Sequence, residues 1–100
     1  MTKRDLVKMM ELVMHYGVSD SKVLDAALSV DRAFFVPREM LSNAYDDAPL
    51  PIGHGQTISQ PYTVVFMLEL LSLGKGMRVL EIGSGSGYAS ALIKNIPFSG

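Results

Sequence analysis

Apolar residues recur every three or four positions along the first third of the chain, which is the spacing of one face of a helix. In the first such segment they are Leu6, Met9, Met10, Val13 and Met14. A loose capping-box pattern at Thr2 predicts where this helix begins, and Gly17 predicts where it ends. A second helix, capped by Ser19 or Ser21, is predicted to extend through Val30.

The middle of the chain changes from helical spacing to loop residues. Aromatic residues precede a proline in the segment Asp31–Pro37, and residues 38–45 predict one or two further helical turns. Prolines and glycines exclude a helix between Asp46 and Gln60. We therefore predict an ordered loop here, with short extended pieces at Pro51–Ile52 and at Gln56–Ile58.

A third helical segment is predicted after this loop. Pro61 is well placed as the first residue of a helix, with Ser59 or Gln60 as its cap, and Gly74 is predicted to end it. The residues that this helix is predicted to bury are Val64, Val65, Met67, Leu68 and Leu71.

The last third of the chain reads as a strand, a glycine-rich turn and a helix. The apolar run within residues 77–82 has β-branched members and predicts a buried strand of a parallel sheet. Three glycines alternate with other residues in 83–87, and helical spacing then continues from Tyr88 to Ile96, where Pro97 stops it. The predicted fold class is α/β, with a helical lead-in before the first strand, turn and helix of a nucleotide-binding sheet.

Length and composition limit the number of domains and the classes of function. One hundred residues, of which 48% are hydrophobic and 19% charged, make one domain. We divide it into a helical lead-in with its loop (1–76) and the start of a βα unit (77–96), and the late first strand indicates the front part of a larger protein. A net charge of −1 argues against binding to nucleic acid, and the absence of cysteine excludes disulfides and sulfur-based zinc sites. Charges among the first residues argue against a signal peptide or membrane span, so we expect a cytoplasmic protein.

The glycine turn narrows the choice of ligand. Dinucleotide-binding proteins have the pattern G-x-G-x-x-G, and here Tyr88 replaces its last glycine, which disfavours an NAD-binding enzyme. A close-approach turn also suits S-adenosylmethionine. Glu81 either faces the ammonium group of such a ligand or orients the turn. Ser84 and Ser86 either donate hydrogen bonds to a ligand or are simply small polar turn residues.

Two segments closely resemble the protein-L-isoaspartate O-methyltransferase family: A-Y-D-D-A-P-L-P-I-G-H-G-Q-T-I-S-Q-P (residues 44–61) and V-L-E-I-G-S-G-S-G-Y (residues 79–88). The lead-in, including D-R-A-F-F-V-P, is similar to that family as well, so the resemblance covers essentially Thr2 to Ile96. It implies a Rossmann-like, S-adenosylmethionine-dependent methyltransferase, of which this chain is a truncated N-terminal portion. The implied reaction methylates the free α-carboxyl of L-isoaspartyl residues in damaged proteins, as a step of protein repair. We expect a monomer at full length.

The resemblance also assigns roles to residues. The functional serine of the family's T-I-S motif falls on Ser59. The candidate cofactor-binding residues are Pro61, Tyr62, Thr63, Val64, Glu81, Gly83, Ser84, Gly85 and Gly87. Because a carboxylate is already ionised at pH 7, the reaction needs no general base, so Ser59 would orient the substrate, together with backbone N–H groups near Thr57 and Ile58.

Plainer interpretations stand beside these assignments. Ser59 could simply cap the helix that begins at Pro61. His54 is interpreted as a loop residue, no metal is expected from it and the isolated His15, and the adjacent Asp46 and Asp47 would point in different directions. Three other functions remain open: an inactive fragment that binds a partner through an exposed strand edge, a methyltransferase for small molecules, and an NAD-binding enzyme.

Overall fold

The structure is a computed structural model that describes residues 3–74, 77–83 and 85–96. Its helices are α1 (Lys3–His15), α2 (Ser21–Ser29), α3 (Pro61–Leu71) and α4 (Tyr88–Asn95), with two short 3₁₀ helices at Arg32–Phe35 and Arg38–Asn43. Its strands are β1 (Leu50–Gly53) and β2 (Gln56–Ile58). None of the described helices is long and apolar enough to cross a membrane.

One apolar core joins all four helices to the hairpin. α1 contributes its apolar face, α2 contributes Val23 and its two alanines, and β1 and β2 contribute one residue each. Within this core the most completely buried residues are Met10, Val13, Ala27, Val65 and Leu92. The core therefore fixes the hairpin and α3 against α4, which positions the segments that the sequence assigned to the site.

The first two helices agree with the apolar pattern, but their caps differ from the prediction. α1 ends before Gly17, which has a φ of +111°, whereas the predicted start at Thr2 lies outside the described residues. The cap of α2 is Asp20, and the prediction of Ser19 or Ser21 was wrong. Asp20 has extended backbone angles and its carboxylate accepts a hydrogen bond from Lys22 N at 2.9 Å. Ser21 is already the first helical residue.

A carboxylate from α3 completes the start of α2. Glu69 Oε1 accepts hydrogen bonds from the backbone N–H groups of Ser19, at 2.7 Å, and Asp20, at 2.6 Å. These two donors precede the first turn of α2 and would otherwise need water. The contact therefore fixes α2 against α3.

The predicted extended pieces form a hairpin. β1 and β2 pair antiparallel, with Leu50 opposite Ile58 and Pro51 opposite Thr57, and the register is irregular before the tip. His54 lies at this tip with a φ of 55°. The hairpin presents the end of β2 directly to the start of α3.

α3 begins at Pro61 as predicted and ends earlier than predicted. Its C-terminal cap is Ser72, in a left-handed conformation with a φ of 49°, and Gly74 lies beyond it. Val65 and Leu68 are buried, but Met67 and Leu71, which were predicted to be buried, are each 58% exposed. The helix is apolar on nearly all sides, so its sequence could not tell the buried face from the exposed one.

The segment 77–82 does not form the predicted buried strand. These residues pair with no strand of the described chain, and Leu80 and Ile82 are 86% and 88% exposed. A strand exists only when its backbone groups pair with a neighbour, and in the described part of the chain β1 and β2 pair with each other. The following helix α4 does form as predicted, while the predicted stop at Pro97 lies outside the described residues.

Candidate active site

A cleft of about 450 Å³ lies between the end of the hairpin and the glycine turn. The candidate site residues that line it are Thr57, Ile58, Ser59, Val64, Glu81, Gly83 and Gly85. Apolar side chains of α3, α4 and the segment before the turn, among them Leu68 and Ile93, form most of the remaining wall. The structure therefore brings together two segments that lie more than twenty residues apart in the sequence.

Other predicted site residues lie outside this lining. The ring of Tyr62 stacks on Phe66, with centroids 5.5 Å apart, and meets the edge of Tyr16 at 5.3 Å. Pro61 is buried and Thr63 half-buried in the first turn of α3, whereas Ser84 lies outside the described residues. Within this first turn, Val64 is the residue that reaches the cleft.

The three glycines of the turn have positive φ angles, which other residues rarely adopt. Gly83, Gly85 and Gly87 have φ values of 71°, 55° and 87°. Gly87 is also the cap residue of α4, and a Cβ added there would lie 3.8 Å from the ring of Phe35. The hydroxyl of Ser86 accepts a hydrogen bond from Tyr88 N at 3.2 Å, which supports the interpretation of this serine as a turn residue.

Glu81 is tied to the helix after the turn. The hydroxyl of Ser90, in α4, donates a hydrogen bond to Glu81 Oε1. This contact supports the interpretation in which Glu81 orients the turn. The side chain is nevertheless exposed and lines the cleft, so it can also face a cationic group there.

The start of α3 is held by a side chain from the loop before the hairpin. Gln60 is the cap residue, as one of the two predicted alternatives, but its side chain makes no capping hydrogen bond; Ser59, the other alternative, precedes the cap. Asp47 Oδ1 accepts a hydrogen bond from Tyr62 N at 3.1 Å instead. The neighbouring Asp46 accepts from Asn43 Nδ2 at 2.9 Å, so the two aspartates do point in different directions.

Arg32 is a candidate functional residue that the sequence motifs did not predict. Its side chain is completely buried, and Nη2 donates a hydrogen bond to the carbonyl oxygen of Ser59 at 2.8 Å. The guanidinium carbon lies 5.0 Å from the ring centroid of Tyr88, over the face of the ring. Burial lowers the pKa of Arg32, and its interactions with Tyr88 and Asp47 oppose that shift. The signal was present in D-R-A-F-F-V-P, where one arginine stands between a capping aspartate and two aromatic residues.

Neither histidine reaches the cleft. His54 is exposed at the hairpin tip, and His15 is the last residue of α1. Within residues 3–74, 77–83 and 85–96, no group of three or more His, Cys, Asp or Glu side chains is arranged to hold a metal ion. The polar groups at the cleft are instead hydroxyls, a carboxylate and glycine backbone, which suit an organic ligand with both apolar and charged parts.

The backbone of the chain is similar to two solved structures. A protein-L-isoaspartate O-methyltransferase structure aligns with a TM-score of 0.77 and 37% identity, over 89% of this chain and 29% of that one. A chain described as the corresponding enzyme of Plasmodium falciparum, in complex with S-adenosyl-L-homocysteine, aligns with a TM-score of 0.75 and 31% identity, over 89% of this chain and 41% of that one. The fold is therefore part of a Rossmann-like methyltransferase fold.

Sequence comparison identifies the family. The model of the protein-L-isoaspartate(D-aspartate) O-methyltransferase family matches residues 3–97. The protein-L-isoaspartate O-methyltransferase of Anaeromyxobacter dehalogenans strain 2CP-1 is 57% identical over 82 residues, which are 82% of this chain and 39% of the relative. That of Petrotoga mobilis is 59% identical over 80 residues, 80% of this chain and 38% of the relative. The chain belongs to this family, and it spans about two fifths of the length of these relatives.

Proposed function

We propose that this chain forms part of a protein-L-isoaspartate O-methyltransferase. The full-length enzyme would transfer a methyl group from S-adenosylmethionine to the free α-carboxyl of an L-isoaspartyl residue in a damaged protein. The observation that supports this most is the cleft, which the T-I-S segment and the glycine turn both line. We also propose that the full-length protein is monomeric, acts in the cytoplasm and binds neither nucleic acid nor membranes.

The residues of the cleft suit the two ligands. Gly83 and Gly85 line the cleft and have no Cβ, so they would let the cofactor approach the backbone closely. Val64 would contact it from α3, with Pro61, Tyr62 and Thr63 forming the turn of helix that positions Val64. Glu81 would face the ammonium group of the cofactor, and Gly87 would fix the start of α4. Ser84 adjoins these glycines in the sequence and remains a candidate.

The chemistry requires orientation more than activation. When bound, S-adenosylmethionine supplies a methyl group on a positively charged sulfur. A substrate carboxylate with a pKa of about 4 is already ionised at pH 7, so this chain needs no base to prepare it. The exposed hydroxyl of Ser59, with the backbone N–H groups of Thr57 or Ile58, would hold that carboxylate in line with the methyl group. The apolar wall would exclude water while the opposite charges are neutralised.

A substitution at Ser59 tests this role. Residues 3–96 replace the corresponding segment of the Anaeromyxobacter enzyme, and transfer of labelled methyl to an isoaspartyl peptide is measured. We expect Ser59→Ala to lower kcat/KM by about 10-fold or more, because one hydrogen bond to a charged group is lost. Ser29→Ala, on the exposed part of α2, is the matched control and should have no effect. An unchanged rate for Ser59→Ala would show that this serine does not orient the substrate.

A second function is supported by one observation. Leu80 and Ile82 are almost fully exposed in a segment without regular secondary structure, and its apolar, β-branched sequence could pair with another strand. The 100-residue chain alone could therefore act as an inactive binding module. If the full-length hybrid transfers methyl groups and the 100-residue chain does not, the role of an inactive binding module remains possible for the 100-residue chain alone.

A further inference from the structure

The two walls of the cleft share one buried side chain. Arg32 is the charged residue that the described part of the chain buries completely. Its Nη2 group donates to the carbonyl oxygen of Ser59 at 2.8 Å, at the junction between β2 and α3. Its guanidinium carbon lies over the ring of Tyr88, the first residue of α4 after the glycine turn, at 5.0 Å from the ring centroid. No sequence-local contact joins these segments, because Ser59 and Tyr88 are 29 residues apart.

Burying Arg32 in this arrangement is energetically unfavourable for the core. Arg32 Nε and Nη1 have no hydrogen-bond partner among the described groups, and neither does the hydroxyl of Tyr88. A buried charge with unsatisfied donors opposes folding, and an apolar side chain of similar volume could fill the same space. Stability alone therefore does not explain an arginine at this position.

The geometry of the guanidinium group gives a reason for an arginine at this position. A guanidinium can donate in its plane and stack on an aromatic ring at the same time, whereas an ammonium group has no flat face. Arg32 contacts both segments at once, because Nη2 donates to the Ser59 carbonyl oxygen while the guanidinium carbon lies over the ring of Tyr88. The 3₁₀ helix that carries it is fixed by Asp31, whose carboxylate accepts from Ala33 N at 3.0 Å and from the Tyr45 hydroxyl.

We propose that Arg32 is a positioning residue, which sets the place of Ser59 relative to the glycine turn by holding the Ser59 carbonyl against Tyr88. The proposal rests on the proposed function, since it concerns the same site. Arg32 does not line the cleft, so it acts through Ser59 and not on the substrate. Displacement of a reacting group by about 1 Å can lower a rate by about 100-fold, so a small movement of the loop would suffice.

The test compares two substitutions of Arg32 with a matched exposed arginine. Arg32→Lys keeps the positive charge but loses the planar guanidinium group, and Arg32→Met keeps a similar side-chain volume but loses the charge. The control is Arg38→Lys, at an exposed arginine of the second 3₁₀ helix. Each is introduced into the full-length hybrid enzyme described above. We expect both Arg32 variants to lower kcat for an isoaspartyl peptide by about 10- to 100-fold, with the KM for S-adenosylmethionine unchanged. Arg38→Lys should behave as the parent.

Hydrogen exchange gives a readout that does not depend on activity. In both Arg32 variants the amides of residues 57–60 and 85–88 should exchange faster, while those of residues 9–13 in α1 stay as in the parent. Variants that fold with parental kcat and parental exchange in these segments would overturn the proposal. So would the failure of both variants to fold, because Arg32 would then be a residue of core stability.

The outcomes also separate this proposal from the proposed function. If the parent hybrid transfers no methyl group, the proposed function fails. In that case faster exchange confined to the two segments still supports the tether between them, and unchanged exchange overturns it.

Discussion

Two Tyr→Phe substitutions should change the stability of this chain in opposite directions. Tyr88 is 1% exposed and its hydroxyl has no hydrogen-bond partner among the described residues. A buried hydroxyl without a partner costs about 1–3 kcal/mol. Tyr88→Phe removes that atom and leaves the ring over which Arg32 lies, although phenylalanine stacks with a cation slightly less well. We expect the free energy of unfolding to rise by about 1 kcal/mol.

Tyr45→Phe is the matched comparison. The Tyr45 hydroxyl donates to Asp31, the same carboxylate that caps the first 3₁₀ helix. Hydrogen bonds to charged groups contribute about 1.5–3 kcal/mol, and the half-buried position of Tyr45 places the loss at the low end of this range. The same single-atom deletion should therefore destabilise the chain by about 1.5 kcal/mol.

Urea unfolding followed by circular dichroism measures both effects. With an m value of about 1–1.5 kcal/mol/M for a chain of this size, the midpoint should rise by somewhat less than about 1 M for Tyr88→Phe and fall by about 1 M or more for Tyr45→Phe. Unchanged slopes would show that the two variants unfold as the parent does. A fall in the midpoint for Tyr88→Phe would contradict this prediction, since it would mean that the Tyr88 hydroxyl has a favourable partner.

Three further predictions concern the contacts between elements, the turn and the pH dependence. Glu69→Gln should lower the free energy of unfolding by about 1–2 kcal/mol, because the charged acceptor of two backbone N–H groups is lost, and urea titration would show it. Gly87→Ala should cost about 1–2 kcal/mol because of its φ of 87°, whereas Gly74→Ala, at a position without a positive φ, should cost less; thermal unfolding of the pair tests this. Burial raises the pKa values of Tyr45 and Tyr88 above the ordinary 10.0, so the folded state keeps protons that the unfolded state loses. Stability should therefore hold below about pH 10 and fall as the pH rises further, and the decline should be weaker in the Tyr→Phe variants; a stability that rises in this range would contradict the burial argument.

Local patterns were enough to predict much of the fold. Helical spacing predicted α1, α2 and α4, and the proline at the first position of α3 fixed its start. Prolines and glycines between Asp46 and Gln60 predicted two extended pieces, which pair as the hairpin. These features depend on a few neighbouring residues, so the sequence contains the whole of their physical cause.

Features that depend on distant residues were missed. Asp47 holds the start of α3 from fifteen positions away, and Glu69 reaches α2 across about fifty. The segment 77–82 has the composition of a buried strand, but a strand needs a neighbour to pair with, and Leu80 and Ile82 are exposed. Within the candidate site, motif and resemblance pointed to Ser59 and the glycine turn, whereas Arg32 became apparent only from the contact of three segments.

The most direct test of the account is methyl transfer from labelled S-adenosylmethionine to an isoaspartyl peptide, with the matching aspartyl peptide as control. It compares the 100-residue chain with the hybrid in which residues 3–96 replace the corresponding segment of the Anaeromyxobacter enzyme. We predict base-labile label on the isoaspartyl peptide alone, with the hybrid and not with the 100-residue chain. Label on both peptides, or on neither with the hybrid, would contradict the proposal that this cleft holds an isoaspartyl carboxylate for methylation.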